Sequence, residues 1–151
     1  MEFLEENAKK LDLDNLCWIY FLVDRDEVIY IGKTTHGAKR PLSHKDKIFD
    51  KVYYIECLEE ELDYLENEQI LRYKPKYNKQ LNLKTAISFS NIAQSIKDEF
   101  NIKRYSPLML YRDIEYWGIS DNVCEFNGVQ YLMIDDFYGL MRNFKRLKGL
   151  E

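Results

Sequence analysis

The sequence predicts an α+β protein in which a small three-stranded antiparallel sheet flanked by helices precedes a small, mostly helical domain with one β-hairpin. The sheet is predicted because apolar runs at 17–23 and 28–32 enclose a polar turn, and a third run follows at 51–57. Beyond residue 81 the apolar residues recur mainly at helical spacing. We therefore expect three parts: an acidic lead-in helix at 1–16, a first domain at 17–81 and a second domain at 82–151.

The composition is that of a folded, globular chain. Its 151 residues are 46% hydrophobic and 32% charged, which suits one ordinary domain or two small ones. No apolar run approaches the roughly 18 residues of a membrane span, and the N-terminus lacks the basic start and apolar core of a signal peptide. We expect an intracellular protein, in the cytoplasm or on DNA, without a membrane partner. The three separated cysteines are expected to be free thiols.

The first domain should contain a hairpin, a short helix, a strand and a long helix in that order. The hairpin sets Tyr20 and Tyr30 on neighbouring strands. A short helix reaching about Lys47 precedes the third strand. The long helix runs from Glu59 to Tyr73, and Pro75 ends it because proline cannot continue a helix.

The second domain shows the order helix, helix, hairpin, helix. Ser88 or Ser90 can cap the first helix, and Ser106-Pro107 opens the second in the position that proline favours. Asp135 or Asp136 is expected to cap the last helix. The predicted inward faces are Phe89, Ile92, Ala93, Ile96 and Phe100, then Leu110, Ile114 and Trp117, then Phe137, Leu140, Met141 and Phe144.

The hairpin of the second domain is signalled by Asn127-Gly128 between apolar runs. The order of elements is similar to that of a small winged helix-turn-helix of the excisionase kind, which implies binding to double-stranded DNA. A structural helical cap is the alternative interpretation. If the domain binds DNA, the phosphate contacts would be Lys103, Arg104, Arg112, Arg142, Lys145, Arg146 and Lys148.

Four short motifs follow one another between residues 18 and 78. They are W-I-Y, Y-I-G-K, R-x-x-x-H, and L-E-x-x-Q-I with a K-P-K-Y-N tail. Their residue types and order resemble the GIY-YIG nuclease family. The resemblance implies a DNA endonuclease that uses Mg²⁺ or Mn²⁺ and leaves 5′-phosphate and 3′-hydroxyl ends. Trp18 stands where the family usually has glycine, so packing or access at that strand must differ.

Glu66 lies on the helical face that also holds Leu62, Leu65, Gln69, Ile70 and Tyr73, whereas Glu60, Glu61 and Glu68 point elsewhere. A carboxylate on an inward face must be paired or bind a metal, since burying it alone costs several kcal/mol. The resemblance places a single Mg²⁺ or Mn²⁺ on Glu66. The alternative is a carboxylate at the rim of an acidic helix.

Arg40 and His44 match the family's arginine and histidine positions. A guanidinium can bind a phosphate with two hydrogen bonds and offset charge in the transition state. Without the motif, the two residues would be interpreted as a solvated helix face. Pro41 disfavours helical angles at Arg40, so the helix is expected to begin at Pro41.

Tyr20, Tyr30, Lys33 and Asn78 complete the predicted site. The resemblance makes Tyr30 the general base or water-orienting group, Tyr20 its hydrogen-bonding neighbour, and Asn78 a brace. A phenol titrates near pH 10, so Tyr30 needs a neighbour such as Lys33 to act as a base near neutrality. The alternatives are packing tyrosines, an exposed lysine and a turn asparagine.

The net charge of −4 lacks the overall basic character of many nucleic-acid-binding proteins. Any positive surface must therefore be local. The function predicted first is a metal-dependent DNA endonuclease in which the second domain selects the site, and a homodimer is compatible with it. The alternative is a catalytically inactive DNA-binding regulatory module.

Overall fold

The computed structural model describes residues 15–150, so the predicted lead-in helix lies almost wholly outside the described residues. The chain forms two compact units of the α+β class. Of the described residues, the first unit contains 15–66 together with Pro75–Tyr77, and the second contains Asn67–Lys74 and 78–150. Each unit contains a three-stranded antiparallel sheet.

The sheet of the first unit has the order β2-β1-β3, with both neighbours of the central strand antiparallel to it. The predicted hairpin and third strand are confirmed. Arg25 and Asp26 both have positive φ at the tip of the hairpin, as a tight two-residue turn between twisted strands requires. The strands are β1 (Trp18–Asp24), β2 (Glu27–Thr34) and β3 (Lys51–Glu56).

Close packing between Tyr20 and Gly32 determines how β1 and β2 fit together. The two residues are directly opposite each other in the ladder. A Cβ atom built on Gly32 would overlap the Tyr20 phenol. The tyrosine ring can therefore lie across the neighbouring strand, where it joins Leu22 and Ile29 in a small buried cluster.

The predicted short helix reaching Lys47 is wrong. Two single 3₁₀ turns, Gly37–Lys39 and Pro41–Ser43, occupy this segment instead. Arg40 is helical (φ −71°, ψ −51°) despite preceding proline, because its carbonyl oxygen accepts hydrogen bonds from both the N–H and the hydroxyl of Ser43. The extended ψ of His44 then ends the second turn.

A long helix, α1 (Leu62–Tyr73), follows a 3₁₀ turn at Glu59–Glu61. Lys74 ends the helix in a left-handed conformation immediately before Pro75. Leu62, Gln69 and Ile70 are buried as predicted, but Tyr73 is exposed rather than inward.

Buried Asn67 joins α1 to the segment that precedes the second sheet. Its side-chain amide nitrogen donates to the carbonyl oxygen of Asn82 at 2.8 Å and to the Thr85 hydroxyl at 2.6 Å. Its side-chain oxygen accepts from the Asn82 N–H at 2.5 Å. A buried amide with donors and acceptors paired in this way fixes the path of the chain after the helix.

The second unit has the sheet order β4-β6-β5 and three helices. The hairpin at Asn127-Gly128 is confirmed, and both of its central residues have positive φ. The prediction missed β4, which pairs with β6 and extends the hairpin to a sheet, because three residues are too few to show a strand period. The elements are β4 (Ala86–Ser88), α2 (Phe89–Phe100), α3 (Pro107–Tyr116), β5 (Val123–Phe126), β6 (Val129–Met133) and α4 (Ile134–Lys148).

Two of the three helix starts are capped as the sequence predicts. Ser88 and Ser106 accept backbone hydrogen bonds at the starts of α2 and α3. The prediction that Asp135 or Asp136 caps α4 is wrong, because both lie inside the first turn and Met133 holds the cap position. The N–H of Ile134 donates to the carbonyl oxygen of Thr85, which places the helix start directly after β6.

The core of the second unit is formed by the inward faces of its three helices. Every predicted inward residue is buried there or packs against the buried cluster. Among residues 15–150, no helix combines the length and apolar character that crossing a membrane requires. The buried residues of this core are Phe89, Ile92, Ala93, Ile96, Tyr105, Leu110, Ile114, Leu132, Leu140 and Phe144.

The contact between Gly32 and Tyr20 gives a test of the first unit. We expect Gly32→Ala to lower the free energy of unfolding by about 1–3 kcal/mol, because the added methyl group has to displace a buried ring. Urea denaturation measures the change. Gly139→Ala is the matched control, since a Cβ there meets nothing closer than 4.0 Å. Equal stability of Gly32→Ala and the wild type would contradict the packing.

Candidate active site

A buried hydrogen bond joins Tyr20 on β1 to His44, which follows the second 3₁₀ turn. The phenol oxygen lies 2.7 Å from Nε2 of the imidazole, and Tyr20 is only 1% exposed. Burial raises the pKa of Tyr20 well above its usual value; Tyr30 and Glu66 add to the rise and Arg40 opposes it. Tyr20 is therefore protonated near neutral pH and can donate its hydroxyl hydrogen to His44.

His44 is in the form that can accept this hydrogen bond. Burial lowers the pKa of His44 below its usual value of 6.5, and the Lys47 and Arg40 cations lower it further. With Nε2 accepting from Tyr20, the ring proton is on Nδ1, which faces Asp46 at 4.0 Å. The predicted neighbour of Tyr20 was Tyr30, but the hydrogen bond that the structure shows is to His44.

Tyr30 on β2 lies beside this pair. Its ring centroid is 4.8 Å from that of His44 and 6.2 Å from that of Tyr20. The Lys47 ammonium lies 4.8 Å from the centroid of the Tyr30 ring, a cation–π distance. Sequence reasoning missed Lys47, although its position three residues after His44 in a lysine-rich loop was visible.

The Lys33 ammonium lies between two carboxylates of α1. It forms an ion pair with Asp63, and Glu66 Oε2 is 3.8 Å away. The side chain of Lys33 was expected to support Tyr30, but these carboxylates hold it. Asp63 was not predicted as a site residue, although it precedes Glu66 by three residues and so shares its helix face.

Glu66 is the carboxylate that would hold the predicted divalent cation. Its side chain is 14% exposed and already faces one positive group. No group of three or more His, Cys, Asp or Glu side chains arranged for metal binding occurs within residues 15–150. A site with one carboxylate and several waters is typical of Mg²⁺ rather than of Zn²⁺. Glu66 would hold the ion, with Asp63 as its nearest carboxylate on the helix.

Arg40 provides the positive group on the exposed side of the site. Its positive charge opposes the rise in the pKa of Tyr20 that burial causes. The residue itself is exposed. A guanidinium that is open to solvent can bind a phosphate oxygen.

Trp18 fills the position where a glycine was expected. Its indole is 5% exposed and stacks on the exposed Tyr54 ring at 4.1 Å. It packs beside Gly37, where an added Cβ would lie 3.4 Å from the Trp18 ring, an ordinary contact distance. Trp18 thus packs beside the first 3₁₀ turn, and Tyr20, two residues along, keeps its bond to His44.

Asn78 belongs to the second unit, where it is 7% exposed. Its backbone carbonyl oxygen accepts a hydrogen bond of 3.0 Å from the side chain of Asn127 at the hairpin tip. In the first unit, the preceding N–H of Tyr77 donates to the carbonyl oxygen of Ile29 on β2. The role of Asn78 as a brace stays a prediction.

The predicted phosphate contacts of the second unit are exposed, and two have side-chain partners: Arg146 donates to the side-chain oxygen of Asn143 at 3.2 Å, and Lys148 forms an ion pair. Lys148 pairs with Asp113 at 2.7 Å, and Tyr105 donates to the same carboxylate. Lys148 therefore helps to hold α4 against α3. The six other basic residues, all exposed, lie before α3 (Lys103 and Arg104), on α3 (Arg112) and on α4 (Arg142, Lys145 and Arg146).

The lowered pKa of His44 gives a test by NMR titration. We expect its imidazole to titrate below 6.5, and Lys47→Met to move the pKa upward, because removing a nearby cation favours the protonated ring. The pKa of His44 should not change in the control Lys45→Met, since Lys45 is not among the causes of the shift. Below pH 6.5, His44 takes up a proton more readily in the unfolded chain than in the folded protein. The free energy of unfolding should therefore decrease as the pH falls below 6.5. A His44 pKa above 6.5 would contradict its burial.

Comparison of the chain with protein-family models, with curated proteins and with solved structures finds no match.

Proposed function

We propose that the protein is a Mg²⁺-dependent DNA endonuclease of the GIY-YIG type that leaves 5′-phosphate and 3′-hydroxyl ends. One observation supports this most strongly: Tyr20, Tyr30 and His44 contact one another within the compact unit to which Arg40 and Glu66 also belong. The two tyrosines lie on neighbouring strands, and His44 lies in a loop. If the motifs matched the family only by chance, residues so far apart in the sequence would have no reason to be in contact.

In this proposal Tyr20 and His44 position the reacting groups. The buried hydrogen bond fixes the imidazole ring, and the ring packs against Tyr30. Tyr30 orients the attacking water and takes up its proton while the new P–O bond forms. To accept this proton, the phenol oxygen of Tyr30 has to carry negative charge. The Lys47 ammonium above the Tyr30 ring offsets this charge.

Arg40 and Glu66 act on the phosphate side of the site. Arg40 binds a non-bridging oxygen of the scissile phosphate and offsets its growing negative charge. Glu66 holds the cation, and Lys33 keeps this carboxylate in place. When bound, Mg²⁺ supplies positive charge to the phosphate and to the leaving 3′-oxygen.

The second unit supports DNA as the substrate. Its order β4-α2-α3-β5-β6, with β4 and β5 on either side of β6, matches a winged helix-turn-helix. In that arrangement α3 enters the groove, and the basic residues before it and on α4 contact phosphates. The protein would then act on double-stranded DNA inside the cell, and two cuts would give a double-strand break.

A catalytically inactive DNA-binding module is the second candidate. The observation that favours it is Trp18, a large buried ring at a position where the family usually has glycine. The retained hydrogen bond between Tyr20 and His44 favours the nuclease. The following experiment separates the two.

Cleavage of supercoiled plasmid tests the nuclease directly. With Mg²⁺ we expect nicking by the wild type, and a loss of at least about 100-fold in Glu66→Gln, because the neutral amide no longer attracts the cation. Gel electrophoresis measures the nicked fraction over time. Glu68→Gln is the control, since it makes the same change on the exposed side of α1.

Equal rates in Glu66→Gln and the wild type would contradict the role of Glu66. Binding without cleavage by the wild type, at any Mg²⁺ or Mn²⁺ concentration, would favour the inactive module. Circular dichroism of each variant shows whether the fold is kept.

The basic residues before α3 give a second test. In a Glu66→Gln background, we expect Arg104→Ala to weaken duplex binding and to reduce the slope of log K against log salt by about one, because one phosphate contact is lost. Gel shifts across salt concentrations measure the slope. Lys97→Ala on α2 is the control. An unchanged slope in Arg104→Ala would show that Arg104 does not contact a DNA phosphate.

A further inference from the structure

Cys17 directly precedes β1, and Cys57 directly follows β3. The two cysteines face each other. The N–H of Cys57 donates to the carbonyl oxygen of Cys17 at 3.0 Å. Trp18 opposite Glu56 is the last pair of the β1–β3 ladder, so Cys17 opposite Cys57 continues the same register by one step. Directly opposite residues of an antiparallel pair have side chains on the same side of the sheet.

The backbones of the two cysteines approach each other within the range that a disulfide spans. The Cα atoms of a hydrogen-bonded antiparallel pair are separated by about 5.5 Å, within the range of roughly 4.4–6.8 Å that disulfides span. The Cys57 sulfur already points at the other strand, 3.8 Å from the carbonyl oxygen of Cys17. Both cysteines are free thiols in this structure.

We propose that Cys17 and Cys57 are a thiol pair that a small disulfide, such as oxidised glutathione, converts to an intramolecular disulfide. The Cys17 thiolate attacks the small disulfide, forms a mixed disulfide and releases one small thiol. The Cys57 thiolate then attacks the Cys17 sulfur and releases the second. Two protein thiols are oxidised, one small disulfide is reduced to two thiols, and the protein's two protons go to those thiols.

The order of attack follows from exposure. Cys17 is half-buried, whereas Cys57 is 8% exposed. Burial, the carboxylate of Glu61 and the neighbouring Cys17 raise the pKa of Cys57, so its thiolate is scarce near neutral pH. Cys17 is therefore the thiol that meets the oxidant. Cys57, already beside it, resolves the mixed disulfide.

The bond would join two points that matter to the candidate site. Cys17 directly precedes Trp18 on the strand that carries Tyr20, and Cys57 directly precedes the turn into α1, which carries Glu66. The inference does not rest on the proposed nuclease function, because its test measures the thiols themselves.

The test is incubation of the native, full-length protein with oxidised glutathione, followed by intact-mass and peptide-mass analysis. We expect a loss of ~2 Da and a Cys17–Cys57 linked peptide, both reversed by reduced glutathione. Cys57→Ser should instead keep one glutathione on Cys17, because nothing resolves the mixed disulfide. Cys124→Ser should form the disulfide as the wild type does.

Three results would overturn the inference. They are a stable glutathione adduct on Cys17 of the wild type, a disulfide that includes Cys124, and thiols that react only after the protein is denatured. Native mass spectra of the Ser variants, beside their circular dichroism, separate a reactivity change from a folding failure.

Discussion

The buried hydrogen bond between Tyr20 and His44 is the interaction on which the candidate site depends. It connects a central strand to a loop that has no regular helix or strand of its own. The bond can form only because Gly32 leaves the space that the Tyr20 ring fills. The glycine of Y-I-G is therefore a packing requirement of the first tyrosine. Two motifs that lie apart in the sequence are thus one physical unit.

Burial and two positive groups determine the protonation state of the two partners of this bond. Burial lowers the pKa of His44, and the Lys47 and Arg40 cations lower it further, while burial raises the pKa of Tyr20. One partner is thus an acceptor and the other a donor near neutral pH. On the α1 side the signs are reversed, since the Lys33 ammonium is held by carboxylates. Cations therefore lie beside the Tyr20–His44 bond, whereas carboxylates surround the Lys33 ammonium on the α1 side.

Regular elements could be predicted from the sequence because their signals are local. Two apolar runs around a polar turn predicted the first hairpin, Asn127-Gly128 the second, and Ser106-Pro107 the start of α3. The loop from Thr35 to Asp50 could not be predicted in the same way. Its path is determined by distant contacts, such as Tyr20 with His44, and two 3₁₀ turns replace the expected helix. β4 exists only because β6 pairs with it.

The site residues also differ in whether a local sequence signal identifies them. Those in the motifs were predicted. Lys47 and Asp63 were not, because their positions depend on how the loop and α1 fold. Lys33 was predicted to support Tyr30 because the two residues are close in sequence. Its ammonium instead contacts the carboxylates of α1.

Trp18 shows how a departure from a motif can be accommodated. Its indole packs beside Gly37 at the first 3₁₀ turn and stacks on the Tyr54 ring. The strand keeps its register with β3 from Trp18 to Val23, and with β2 from Trp18 to Leu22. Because register fixes which residues face the site, the substitution changes the packing beside Tyr20 while Tyr20 itself stays bonded to His44.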